Sequence, residues 1–379
     1  MSTVTRIYRL LSIFAFSGLG FGCATEKTYD LSSVPSSSDG VRKEVVVAPG
    51  SISAPGTWTP LTSGVTATFR GVSAVDANVV WVSGSRGNVL RSLDGGATWQ
   101  NVSPPGLNTL DFRDVDAMDA KTAYILSIGN GEASRILKTV DGGATWSETF
   151  KNLDADGFFD AMTFWDKDHG IAISDSSKGL FRIITTADGG HTWTRVDPAT
   201  LPAALDNEGA FAASGTNVTV WGDRHVWIGT GAAAKARVLH SADRGKTWAI
   251  ADTPIPGGSS AGIYSIAFRD ALHGIVVGGD YAKEDLALDN VAVTDDGGKT
   301  WKLAPGVGGF RSVVTYFPAA NGPSLIALGP SGADISHDNG KTWTASPTPA
   351  RGLHTFSFAR GTSTGFAAGG RGQVAKFVR

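Results

Sequence analysis

Seven residues able to do chemistry recur in one register: Arg70, Arg113, Asp160, Glu208, Tyr264, Arg311 and His354. Six are the second residues of short apolar segments, aligned on closing aspartates such as Asp76, Asp119, Asp166 and Asp270. One segment, over 210–214, departs from the pattern, and Glu208 is its nearest candidate. Arginine forks bind carboxylates bidentately. Asp160, Glu208, Tyr264 and His354 are the residue types that act as nucleophile or general acid and base. The set therefore suits a carboxylate-bearing ligand, held by Arg70, Arg113 and Arg311, with nucleophilic or acid–base chemistry available on the other four. Asp114, next to Arg113, is an expected ion partner. The competing reading is a wet lining whose polar groups satisfy one another.

The elements that would position this ring announce themselves by repetition. Thr-x-Asp-Gly-Gly-x-Thr-Trp, or a near copy, occurs six times and ends at Trp99, Trp146, Trp193, Trp248, Trp301 and Trp343. The spacings are 47, 47, 55, 53 and 42 residues, a period that marks a blade array or solenoid. Each unit reads as an apolar strand, a second strand, a third running into the box, and a fourth starting at the tryptophan. Four short antiparallel strands per unit is the arithmetic of a β-propeller blade. First strands are expected at 69–75, 112–118, 159–165, 210–214, 263–268, 310–316 and 353–358, which makes seven blades. The last unit lacks a fourth strand, and an orphan strand around Trp58 precedes the first. The N-terminal strand is therefore expected to complete the last blade and close the ring, hiding two sheet edges.

Within each box the aspartate can accept N–H bonds across a turn, and glycine tolerates φ > 0 there. The boxes read as structural, on the face opposite the ring. The ring face also takes the long connections expected over 194–207, 249–262 and 278–290. Long loops in compact folds are often functional. Asp280 and Tyr281 are expected to bind substrate, with Lys283 and Glu284 beside them on a pocket wall.

Two other patterns carry less. Asn152, Asp154 and Asp156 before Gly157 outline the start of a calcium loop, but position twelve is Thr163 and no flanking helices are expected. No cofactor is expected, with calcium the one alternative. Gly258-Ser259-Ser260-Ala261-Gly262 spells a nucleophile elbow without its strand-turn-helix context.

Composition narrows the partners. Thirty-three basic and 35 acidic residues leave a net charge of −2, so no global basic field exists for nucleic acid. A single cysteine, Cys23, excludes an intrachain disulfide framework. Arg6 and Arg9 precede an apolar run too short to span a bilayer comfortably. Leu19-Gly20-Phe21-Gly22-Cys23 resembles the bacterial lipoprotein signal, apart from Gly20 and Phe21. That resemblance implies lipidation at Cys23 and a protein held on an envelope membrane surface, outside the cytoplasm. The expected organisation is a signal peptide over 1–23, a Ser/Pro-rich tether over 24–56 and a monomeric propeller over 57–379. Such a tether spans about 30 Å root-mean-square.

The six boxes identify 57–379 as resembling the bacterial neuraminidase-repeat, or Asp-box, superfamily. The resemblance implies a propeller but not one activity. Sialidases in that superfamily use an arginine triad, a Tyr/Glu nucleophile pair and an aspartic acid, and lyases of uronate-containing glycans use Tyr or His as base with a cation on the carboxylate. Both resemblances, in residue types alone, imply an acidic carbohydrate bound by Arg70, Arg113 and Arg311 and cleaved by hydrolase or lyase chemistry on Asp160, Glu208, Tyr264 and His354. Ile266-Ala267-Phe268-Arg269-Asp270-Ala271-Leu272-His273-Gly274, followed by a box, resembles repeats of the photosystem II stability/assembly factor family. This second resemblance implies a non-enzymatic assembly lipoprotein whose partner is a protein of a membrane complex.

Overall fold

The computed structural model describes residues 56–318, 322–346 and 351–379, so the leader, Cys23 and the tether up to residue 55 lie outside the described residues. Seven four-stranded antiparallel sheets follow one another. Their first strands are Phe69–Ala74, Asp111–Ala117, Phe159–Phe164, Val218–Trp221, Ala261–Phe268, Val313–Tyr316 and Leu353–Phe358. Helix is confined to four three-residue 3-10 turns among the described residues. In the seventh sheet Thr57–Thr62 is the outer strand, antiparallel to Gln373–Val378, with Trp58 opposite Phe377.

Apolar alternation along the strands puts one buried cluster between each pair of neighbouring blades. Trp81, Phe112, Val115 and Leu137, for example, pack with Trp146 between blades 1 and 2. The boxes close the outer turns by one repeated circuit. In the first, Ser92 Oγ donates to Asp94 Oδ1 (2.8 Å) and accepts from Gly96 N–H (2.8 Å). Thr98 then donates to the same carboxylate through its N–H (2.8 Å) and its hydroxyl (2.6 Å). Those donors hold Asp94 down to about 2, and Asp141 in the second box likewise.

Two strand expectations fail for physical reasons. Segment 210–214 is apolar but forms no strand; blade 4 begins only at Val218. And 249–262 is not a long loop: Ala249–Pro256 is the outer strand of blade 4 and Ala261–Phe268 the inner strand of blade 5. Pro254 and Pro256 disguise that outer strand, because proline is tolerated on a sheet edge where no partner needs its N–H.

A candidate binding site at the channel mouth

Five inner strands share a defect in the same place. Their ladder to the second strand slips between Phe69 and Gly71, Phe112 and Asp114, Phe159 and Ala161, Ile263 and Ser265, and Leu353 and Thr355. The residues left out of the pairing are Arg70, Arg113, Asp160, Tyr264 and His354. A bulge re-aims the side chain it frees, which is why bulges gather beside functional sites. The residue opposite each slip is Gly84, Ser127, Ser174, Gly278 or Gly369. At Gly84 a Cβ would stand 2.2 Å from the Thr68 carbonyl oxygen, and at Gly278 1.9 Å from that of Gly262. The small residue is what lets the inner strand crowd inward.

The channel these strands surround is crossed by the segment from Glu208 to Thr216. It bonds to blade after blade. Gly209 bridges Gly231 of blade 4, and Ala210 N–H donates to Asp175 of blade 3 (3.1 Å). The carbonyls of Ala212 and Ala213 accept from Arg113 (3.2 Å) and Arg70 (3.4 Å) of blades 2 and 1. Phe211 stacks on Tyr264 of blade 5, with centroids 4.0 Å apart and planes at 6°. Ser214 Oγ donates to Ser312 O at the entry to blade 6 (2.6 Å), and Thr355 Oγ1 of blade 7 donates to Ser214 O (3.1 Å). Segment 210–214 is apolar because it is buried in the channel, not because it pairs.

Above this plug lies a cavity of about 330 Å³. Arg70, Arg113 and His354 line it with Phe211, Tyr264, Tyr281 and Phe310, and Glu284 is its one carboxylate-bearing wall residue. The plug separates it from a second, hydroxyl-rich cavity of about 450 Å³ bordered by Thr216, Thr315 and Ser357. A wider groove of about 550 Å³ opens near the fourth box around His169 and Arg244. Its His169 and Arg244 are already engaged, since both reach Asp166.

The two arginines of the mouth are under-neutralised. Arg113 Nε donates to Asp111 Oδ2 at 2.9 Å. Arg70 has its Nε buried without a partner. Burial first, then the Arg113 charge, lower Arg70 to about 10. His354 Nδ1 is likewise buried without a partner. Burial and the two arginines push His354 down to about 3, so its ring is neutral at ordinary pH. An anion between Arg70 and Arg113 would relieve both the desolvation and the mutual repulsion.

Of the remaining expected site residues, Tyr264 and Tyr281 reach this cavity and the others do not. Arg311 turns away within blade 6 and pairs with the buried Asp334 through Nε (2.7 Å) and its amino nitrogen (2.6 Å). Glu208 is fully buried and held by Arg237 and by Thr230 Oγ1 (2.7 Å). Asp160 is buried beside Asp175. Burial and the neighbouring charge raise Asp160 well above the carboxylate range, and burial raises Asp175 to about 6. Asp280 caps its loop, accepting from Ser260 Oγ (2.7 Å) and Ala282 N–H (3.0 Å). Tyr264 lines the cavity, but its hydroxyl donates to Ser260 O (2.9 Å) and burial raises its pKa. Asp114 does not pair with Arg113; it accepts from Met162 N–H (2.7 Å). No open pocket gathers the four acid–base candidates.

The two lesser patterns resolve simply. Asn152 Nδ2 donates to the carbonyls of Gly131, Asp154 and Gly157 (3.2, 3.0 and 3.0 Å), while Asp154 and Asp156 pair with Arg182 (3.3 and 2.7 Å). Among the described residues no group of three or more His, Cys, Asp or Glu could hold a metal. Ser260 lies in the hairpin between blades 4 and 5, bonded to Asp280.

Comparison with known proteins agrees with the fold. The BNR/Asp-box repeat model matches residues 292–303 and 334–345, the fifth and sixth boxes. No curated protein matches the chain in sequence. Among solved structures, YCF48 from Cyanidioschyzon merolae superposes with a TM-score of 0.61 at 19% identity, covering 86% of this chain and 99% of that one. YCF48 bound to D1 peptide gives 0.59 at 17%, covering 85% and 97%. The WD40 propeller domain of Doa1 gives 0.55 at 13%, covering 85% and 98%. The chain is thus a seven-bladed β-propeller built on BNR/Asp-box repeats, with the photosystem II assembly factor YCF48 among its structural neighbours.

Proposed function

We propose that this propeller is a non-catalytic binding protein that seats a carboxylate-bearing segment of a partner protein between Arg70 and Arg113. The observation that carries the reading is the buried, unpartnered Arg70 Nε beside a second guanidinium in an aromatic-lined cavity. Buried donors without acceptors are costly, and a bidentate carboxylate supplies acceptors in the right plane. Phe211, Tyr264, Tyr281 and Phe310 offer flat apolar walls of the kind that anchor peptide side chains. A YCF48 propeller of the same architecture has been solved with D1 peptide bound, which makes a peptide ligand a natural occupant for such a ring.

Binding and cleavage of an acidic glycan has less support. Glu208 and Asp160 are sequestered, His354 is held neutral and Tyr264 is held protonated. Calorimetric titration of the full chain with free-carboxylate peptides, their amides and uronate oligosaccharides separates the readings. Peptide binding that falls at least tenfold in Arg113→Ala, with no uronate turnover, is expected. Tight uronate binding with turnover, and none of peptides, would overturn the proposal.

We further propose that the domain stands outside the cytoplasm on its tether, lipidated at Cys23. The leader residues Arg6 to Cys23 support this. Radiolabelled palmitate is expected to enter the wild-type chain and not Cys23→Ala; equal labelling would contradict the assignment.

A further inference from the structure

Loops joining fourth to first strands and second to third strands share the mouth face of a propeller, and here their charges are segregated. On blades 7 and 1 the exposed residues Arg351, Arg371 and Arg86 stand on the same side of the channel as Arg70. Blade 5 presents the opposite sign. Its loop between Gly274–Asp280 and Val291–Thr294 carries Glu284, Asp285 and Asp289, which form no ion pair among the described residues. Lys283, its one cation, pairs with Asp280 at 3.4 Å.

The same loop is greasy where it should be polar. Tyr281, Leu286 and Leu288 are 53%, 43% and 56% exposed, three of the large exposed hydrophobics gathered within eight residues. It is also anchored rather than frayed. Tyr281 N–H donates to Ser260 O (3.2 Å), Phe310 N–H to Glu284 O (2.8 Å) and Leu286 N–H to Lys283 O (2.9 Å). Tyr281 and Glu284 form cavity wall, so the loop begins where the arginine site ends. A fixed, exposed, apolar and acidic surface next to a carboxylate site is half of a complementary interface.

Resting on the reading above, we infer that residues 281–289 are a second recognition surface, specific for a polypeptide segment that carries an apolar residue and a Lys or Arg a few positions from the carboxylate held by Arg70 and Arg113. The segregated charge orients that segment across the channel mouth, with its carboxylate toward blades 1 and 2 and its basic residue toward blade 5. An all-acidic segment would meet repulsion at Glu284, Asp285 and Asp289, which is how such a face discriminates.

Selection from a random octapeptide library, in free-acid and C-terminally amidated forms, tests this on the full chain. The wild type is expected to enrich Lys or Arg upstream of the carboxylate by about tenfold. The double variant Asp285→Asn, Asp289→Asn should lose that enrichment yet still require the carboxylate, since neither side chain lines the arginine cavity. Arg113→Ala should lose both. If the wild type selects carboxylates with no basic preference, or the double variant keeps the preference, the loop inference fails while the arginine site stands. If the wild type selects nothing, both fail. If the amidated library performs as well and carries Asp or Glu, the carboxylate comes from a side chain, and the basic preference still decides the inference.

Discussion

At the scale of single residues, two sets of carboxylates pull stability in opposite directions with pH. Asp94 and Asp141, held near 2 by the box donors, favour the fold above about pH 4 and lose that contribution as pH falls toward 2. Asp116 faces the other way: burial raises it to about 6, against Arg360 and the Phe164 N–H. Its folded pKa exceeds the unfolded one, so stability is fullest below about pH 4 and declines as pH rises through 6. Asp116→Asn, which keeps an acceptor for Phe164 N–H, is therefore expected to stabilise the protein by about 2 kcal/mol at pH 8 and by nothing at pH 4. Urea denaturation at the two pH values checks this; an equal gain at both would contradict the burial argument.

At the scale of elements, the plug and the bulges decide what the mouth can present. Gly209 lies so close to Asp175 that a Cβ would stand 2.0 Å from Oδ1. Gly209→Ala is expected to displace that carboxylate, free Ala210 N–H and destabilise by about 1–3 kcal/mol. Peptide affinity should fall with it, because Ala212 and Ala213 present the carbonyls that hold the two arginines; unchanged affinity in a folded Gly209→Ala protein would detach the plug from the site. The ring register was legible in the sequence, since the second positions of the apolar segments pick out Arg70, Arg113, Asp160, Tyr264 and His354. The small residue opposite each slip, such as Gly84 or Gly278, was a further signal of the bulge that went unread. Arg311 and Glu208 misled because their partners, Asp334 and Arg237, sit more than twenty residues away and nothing local marks the pairing. The plug misled because burial in a channel and burial in a sheet demand the same apolar residues.

At the scale of the molecule, the box period made the seven blades legible before any geometry was available. In the seventh sheet the two ends of the described chain pair with each other. Trp58 packs on Phe377 and Phe356, with centroids 4.9 and 5.9 Å away, and is buried. We propose that this pairing latches the ring. Trp58→Ala is then expected to cost about 3–5 kcal/mol, and native-state hydrogen exchange should show blade 7 opening before the rest. Exchange that remains uniform across the blades would argue against a latch. Coupling of the whole ring to the mouth follows from the plug, whose bonds reach every blade.

The central claim is that Arg70 and Arg113 together receive a partner's carboxylate. A crystal structure of the full chain with the tightest free-acid peptide tests it most directly. The account expects the carboxylate to bridge the two guanidinium groups above the Ala212 and Ala213 carbonyls, with an apolar side chain against Phe211 or Tyr281. A peptide bound at the box turns or along a blade edge, with the mouth cavity empty of it, would contradict the account.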